Sequence, residues 1–142
     1  MTTSDATRVI EAWAEAWSSP TGLEKLVSLF TDDFVYEDLG TGTVAHGKEE
    51  LKALFETIFS AAPDYKVELT SRFIAGNWAG AEWTCSGTQT GDLPGIPATN
   101  KHVSIRGASI FELQGNKFRR CSDYWDRATF LRQVGLMPSE QQ

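Results

Sequence analysis

The hydrophobic period of this chain changes near its middle. Val9, Ile10, Trp13 and Trp17 recur at three- and four-residue steps, and so do Leu51, Leu54, Phe55, Ile58 and Phe59. That spacing puts each set on one face of a helix, the first expected over about residues 5–18, the second ended by Pro63. Beyond Pro63, Tyr65, Val67, Leu69, Ser71 and Phe73 alternate with Lys66, Glu68, Thr70 and Arg72, the two-residue period of a strand with one buried face. Helices followed by consecutive strands, rather than alternating units, predict an α+β domain. A long, twisted, mostly antiparallel sheet of this kind can curl around the helices into an open cone.

Turn residues divide the rest. Ser19-Pro20 breaks the first helix, and Thr21 with Glu24 forms a capping box for a short helix through Leu26 and Leu29. FVYED, residues 34–38, is expected as a short strand. Gly76-Asn77 and Gly115-Asn116 are two-residue hairpin signals, which set strands at about 78–89, 102–113 and 117–125, with the Gly- and Pro-rich stretch 91–100 as a long loop. A closing helix starts near Asp126 and stops at Gly135, with Pro138 soon after. At 142 residues and 41% hydrophobic content the chain suits a single domain over 1–142, its ordered core about 5–138 and its end, Ser139 to Gln142, loose.

Charge and composition exclude several classes of partner. The net charge is −6, and the only adjacent basic pair, Arg119-Arg120, is better explained as a solvated strand edge, so neither nucleic acid nor an anionic membrane is expected. No run of eighteen apolar residues and no basic-then-apolar leader occur, which predicts a soluble, cytoplasmic protein. Cys85 and Cys121 are expected as buried, reduced thiols, and with His46 and His102 they make no zinc-like spacing, so no metal site is expected.

Acid–base chemistry in a pocket needs a carboxylate among apolar neighbours. Five tryptophans, Trp13, Trp17, Trp78, Trp83 and Trp125, serve either a large core with an interface or the walls of a cavity for a flat apolar ligand. Tyr36 and Asp38 alternate onto one strand face, and Asp123 lies in a strand beside Tyr124 and Trp125. A plain two-residue turn at Gly115-Asn116 sets Ala108 opposite Asp123 and Arg106 opposite Trp125, which makes Arg106 a diagonal neighbour of Asp123 and either its orienting partner or a substrate contact. Counting from Gly76-Asn77 sets Trp83 and Cys85 on the face of Glu68 and Thr70, with Glu82 and Thr84 on the other. Asp126 falls three residues after Asp123, on the opposite face, and is assigned as the N-cap of the closing helix.

FTDDFVYED, HGKEEL, AAPDYKVEL, SGTQTGDLPGIPATNKHVSIRGASIFEL and DYWDRATFLRQVGL occur in an order that resembles the SnoaL-like polyketide cyclases, within the wider group of the nuclear transport factor 2 fold. The likeness runs from about Arg8 to Met137. It implies a cone-shaped α+β barrel, a homodimer, and an open end that takes a small hydrophobic molecule. It further implies an intramolecular aldol cyclisation with no metal or organic cofactor, in which an aspartate at the position of Asp123 removes a proton beside a carbonyl. Limonene epoxide hydrolase, a relative, has a similar Asp-Tyr-Phe-Asp ending and a Tyr-x-Asn where this chain has Tyr36 and Asp38, and the resemblance would place Trp83 and Cys85 in the pocket. The chain departs from these patterns in three places: 81–85 lacks the hydrolase's Arg-x-Asp, the strand of Arg106 to Ile110 lacks the cyclases' histidine, and Asn100 stands where a glycine is usual.

These features together predict an isomerase or cyclase acting without a cofactor on a small hydrophobic carbonyl compound, such as a polyketide. Asp123 is the expected general base, Tyr36 the donor to a developing oxyanion, and Asp38 the residue that positions substrate or water; Arg106, Trp83 and Phe59 are the expected substrate contacts. A non-catalytic ligand-binding protein of the same fold, or a hydratase, hydroxylase or epoxide-hydrolase-like relative, is the alternative.

Overall fold

The computed structural model of the chain describes residues 3–138. In order these form α1 (Thr3–Ala16), α2 (Leu23–Ser28), β1 (Phe30–Asp38), β2 (Thr43–His46), α3 (Lys48–Ala61), β3 (Lys66–Ala75), β4 (Trp78–Thr88), β5 (His102–Gln114), β6 (Lys117–Trp125) and α4 (Arg127–Gln133). The six strands make one sheet in the order β2-β1-β6-β5-β4-β3. Neighbours are antiparallel except β1 and β6, which run parallel. The sheet curves without closing, and α1 and α3 pack into it, which is the expected α+β cone. The loose end expected at Ser139–Gln142 lies outside the described residues. Among the described residues no helix is long and apolar enough to cross a membrane.

Two one-residue bulges set the faces of the long strands. Both hairpins begin as the Gly-Asn turns require, with Ala75 opposite Trp78 and Gln114 opposite Lys117, and Gly76 and Gly115 supply the positive φ of 61° at the first turn position. The register then slips. Between Leu69 and Ser71 the pairing shifts so that Trp83 faces Leu69 and Cys85 faces Val67. Between Glu112 and Leu113 it shifts again, so that Ser109, not Ala108, faces Asp123, and Gly107, not Arg106, faces Trp125. Both plain register counts are corrected by this, because an extra residue on one strand, Thr70 or Arg119, moves everything beyond it by one place and bends the strand. Trp83 and Cys85 therefore turn inward, and Glu82 is exposed.

Helix ends follow the sequence in one case and not in another. Asp126 caps α4, its carboxylate accepting the backbone N–H of Thr129 at 3.0 Å and its hydroxyl at 2.6 Å. Past α4, the N–H groups of Gly135 and Leu136 return to the carbonyls of Arg132 and Leu131, with Gly135 at φ 84°. The capping box at Thr21 does not form. Gly22 is the N-cap of α2 and makes no side-chain cap; Thr21 pairs its hydroxyl with Ser19 at 3.0 Å instead. A Cβ on Gly22 would stand 2.1 Å from the Ala16 carbonyl oxygen, so close contact between the two helices fixes glycine there. β2 was not expected from the sequence, because only Ala45 of its four residues is buried and no period is visible.

Aromatic side chains fill the space between helices and sheet. Trp13 on α1 and Trp17 just past its end are both buried; Trp13 meets Phe111 edge-on at 5.2 Å, and Trp17 packs on Phe55 at 5.1 Å and Tyr36 at 6.0 Å. Trp78 is the exception. It lies on the outer face of the sheet, 41% exposed, with the Arg120 guanidinium 5.2 Å above its ring. Arg119, the bulge residue, is exposed and pairs with Glu112 at 3.5 Å, so it is solvated as expected, but β6 lies between β1 and β5 and is no sheet edge.

Candidate active site

The cone encloses a cavity of about 390 Å³, within the range of small-molecule sites. Its walls are mainly apolar: Trp13, Trp17 and Trp83, with Leu54, Ile58 and Ile105, are among them. Tyr36, Asp38, Asp123 and Arg127 bring the polar chemistry. Asp38 and Asp123 are direct Cα partners across the parallel β1–β6 pair, as Tyr36 and Cys121 are two residues before them. A two-residue step preserves the face of a strand, so all four side chains stand on the inner side of the sheet.

Asp123 is partly buried in the cavity wall and surrounded by donors. The Tyr36 hydroxyl donates to its Oδ2 at 2.7 Å. Its Oδ1 accepts the Ser109 hydroxyl at 2.6 Å and the Cys121 thiol at 3.3 Å. Behind Ser109, the Trp83 indole N–H donates to the serine Oγ at 2.9 Å. An indole N–H can only donate, so the Ser109 oxygen accepts there and its own hydrogen goes to Asp123. Burial pushes the Asp123 carboxyl up to about 6, because the charged form loses hydration; the Ser109 and Tyr36 hydrogen bonds oppose this, and the negative Asp38 adds to it. Tyr36 goes the same way. Burial first, and then the charge of Asp123, hold its phenol well above the usual range, so it remains a neutral donor at any working pH.

Asp38 is fixed through one oxygen. Its Oδ1 accepts the Trp125 indole N–H at 2.6 Å and the backbone N–H groups of Gly40 and Thr41 at 3.0 and 3.3 Å. A Cβ on Gly40 would lie 2.1 Å from the Trp125 ring, so glycine is what lets the indole reach the carboxylate. On the opposite wall burial pushes the Cys85 thiol up to about 11, which keeps it protonated. Among the described residues no group of three or more His, Cys, Asp and Glu side chains is placed to hold a metal ion.

Of the residues singled out in the sequence, Tyr36, Asp38, Asp123 and Trp83 line this one cavity. Arg106 does not. The bulge at Arg119 puts Ser109 and Gly107 on the face of Asp123 and leaves Arg106 exposed on the outer face of the sheet, where it pairs with Thr84 of β4. Phe59 does not line the cavity either: it is buried against Phe55 at 4.7 Å and Tyr65 at 5.8 Å, one layer behind the wall, while Leu54, Thr57 and Ile58 of the same helix reach the space. Trp13, Trp17 and Trp125, offered as cavity walls among the five tryptophans, line it as well, whereas Ser109, Cys121 and Arg127 belong to the site and were not singled out. Ser109 enters only through the bulge, which has no marker in the sequence. The contact of Trp125 with Asp38 could be found only by knowing that β1 lies beside β6.

The helix-lined, open α+β cone is the ketosteroid isomerase-like fold, as in a protein of Catenulispora acidiphila solved in complex with trimethylamine (TM-score 0.80, 22% identity, covering 94% of this chain and 96% of that one). The sequence profile of the SnoaL-like polyketide cyclases matches residues 7–134, and the chain belongs to that family. TsrD of Streptomyces laurentii is similar over 96% of this chain and 99% of its own, with TM-score 0.86 and 23% identity. IdmH of Streptomyces antibioticus, a proposed polyketide cyclase, is similar over 92% and 98%, with TM-score 0.78 and 20% identity. At such identities these structures establish the fold alone. A comparison with curated proteins finds none that matches.

Proposed function

We propose that the protein catalyses proton transfer on a small hydrophobic carbonyl compound, leading to isomerisation or aldol-type ring closure, with Asp123 as general base. The observation that carries this reading is the setting of Asp123: a carboxylate in the wall of a largely apolar cavity, held by Tyr36, Ser109 and Cys121, with its pKa pushed up to about 6. A carboxylate has about four acceptor positions. Two on Oδ1 and one on Oδ2 are taken, which leaves Oδ2 the oxygen to receive a proton.

In the first step Oδ2 takes a proton from the carbon beside the substrate carbonyl, and the C–H electron pair moves into the carbonyl to give an enolate. The protonated Oδ2 is now a donor. Tyr36 can accept from it and turn its own hydrogen to the enolate oxygen, the role expected for a phenol that does not ionise. Where the enolate is conjugated, a different carbon of it then takes the proton back from Asp123, which is isomerisation; otherwise the enolate carbon attacks a second carbonyl of the same molecule, whose new alkoxide takes the proton back from Asp123. Each route restores the carboxylate and uses only groups of this chain and the substrate.

The test is deuterium exchange beside the carbonyl, followed by NMR in heavy water across a panel of aromatic and steroid-like ketones. Asp123→Asn should lower exchange by about 10²- to 10⁴-fold, the usual worth of a positioned base. The wild-type rate should fall as pH drops through about 6, because only the ionised carboxyl accepts a proton, and level off above it. Exchange that survives in Asp123→Asn would sink the assignment. A ketone that binds without exchanging in the wild type would move the reading to a ligand-binding protein.

A further inference from the structure

The acceptors left open in the cavity define what a ligand must bring. Asp38 and Asp123 are Cα partners on adjacent parallel strands, so their side chains start about 5 Å apart on one face. Each carboxylate receives three donors: Trp125, Gly40 and Thr41 on Asp38, and Tyr36, Ser109 and Cys121 on Asp123. All three on Asp38 fall on Oδ1. Among the described residues nothing donates to its Oδ2, and Tyr36 alone donates to Oδ2 of Asp123. Some polar groups elsewhere in the wall are engaged, the Thr57 hydroxyl donating to the Ala53 carbonyl at 2.8 Å and the Gln89 amide to the carbonyls of Ile96 and Pro97 at 3.2 and 3.3 Å. The buried indole N–H groups of Trp13 and Trp17, by contrast, have no hydrogen-bond partner among the described residues and are donors rather than acceptors toward a ligand.

We infer that this end of the cavity selects a hydroxyl-bearing ligand: an apolar, ring-sized carbonyl compound whose hydroxyl donates to Asp38 Oδ2 while the carbon to be deprotonated faces Asp123 Oδ2. The inference rests on the reading of Asp123 as base and adds the substrate class. A ligand that put an ether or a methyl group there would bury Asp38 Oδ2 without a partner, and an unmatched buried carboxylate oxygen is costly. A hydroxyl suits the site better than an ammonium group. Arg127 lines the same cavity with no counter-ion among the described residues, and a neutral donor gives up less hydration on entering an apolar space. Trp125 and the Gly40-Thr41 turn act here as positioning groups, because by occupying Oδ1 they leave Oδ2 for the ligand.

Naphthol, its methyl ether and naphthylmethylamine serve as probes, with binding read from tryptophan fluorescence in the wild type and in Asp38→Asn. Wild-type protein should bind naphthol at least about tenfold more tightly than the ether, as a hydrogen bond to a charged acceptor implies. Asp38→Asn keeps an oxygen for Trp125 and puts an N–H donor at the ligand side, so the preference should vanish or reverse. Equal binding of naphthol and ether by the wild type, an unchanged preference in Asp38→Asn, or tighter binding of the amine than of naphthol would each overturn the inference. Should Asp38→Asn not fold, the wild-type ratio decides alone. The preference is an equilibrium property without turnover, so its failure is told apart from a failure of Asp123 as base, which only the exchange assay reads.

Discussion

Asp123 is in tension with its surroundings: burial raises its pKa, and three donors limit how far. Each donor is therefore a control on basicity. Ser109→Ala removes one that favours the charged form, so the Asp123 pKa should rise from about 6, by about one to two units given the worth of a hydrogen bond to a charged group. A carbon-13 NMR titration of the carboxyl checks this without any substrate, and an unmoved titration would mean that Ser109 only fills space. Trp83→Phe should give a smaller rise, since it frees the Ser109 hydroxyl to turn away without deleting it. The Trp13 indole has a related place beside Tyr36. Its buried N–H has no hydrogen-bond partner within ordinary geometry, yet it draws the Tyr36 pKa slightly down against the larger effect of burial. Asp123, Tyr36 and Asp38 were legible in the sequence as residue types on the right faces. Ser109 was not, because its place depends on one extra residue, Arg119, four positions before Asp123, and periodicity carries no mark of a bulge.

At the scale of elements, the strings that carried the family resemblance turn out to build the floor of the cavity. Asp64, after Pro63, accepts the Thr88 backbone N–H at 2.8 Å and its hydroxyl at 3.0 Å, which ties the end of α3 to the end of β4. The loop that follows is anchored by Gly91 to the Ala61 carbonyl at 3.0 Å and by the Thr99 hydroxyl to Gln89 at 2.8 Å. It presents Leu93, Pro94 and Ile96 to the ligand space. Asn100 has φ 59°, the left-handed region that glycine usually occupies and asparagine tolerates, which accounts for its standing in for the usual glycine. A Cβ at Gly91 would lie 2.2 Å from the Ser60 carbonyl oxygen. Gly91→Ala should therefore push the loop off α3 and destabilise the fold by about 1–3 kcal/mol, measurable by urea unfolding; an unchanged midpoint would show that the loop yields freely. Long elements with strong periods, α1, α3 and β3 to β6, were legible close to their true bounds. The failures were short: β2 has a single buried side chain, and the start of α2 is decided by the approach of Gly22 to α1 rather than by capping chemistry.

For the molecule as a whole, the parallel pairing of β1 with β6 matters most. No turn brings these strands together, and parallel neighbours in a chain of antiparallel hairpins could not be read from local sequence. The Tyr36–Asp123 and Asp38–Trp125 contacts each join residues 87 positions apart, so the groups of the candidate site come from two distant parts of the chain. Contacts of such separation are slow to form, because the ends must meet before either is rewarded. The amide hydrogen of Leu39, held by the Asp123 carbonyl at 2.9 Å, reports when the two strands part. A ligand at a hundred times its Kd should slow exchange of that hydrogen by about a hundredfold if parting empties the cavity, and unchanged exchange would mean that the strands separate without releasing it. A ligand that gave this protection would be a clasp between distant stretches of the chain, holding shut a seam that no turn of the backbone secures.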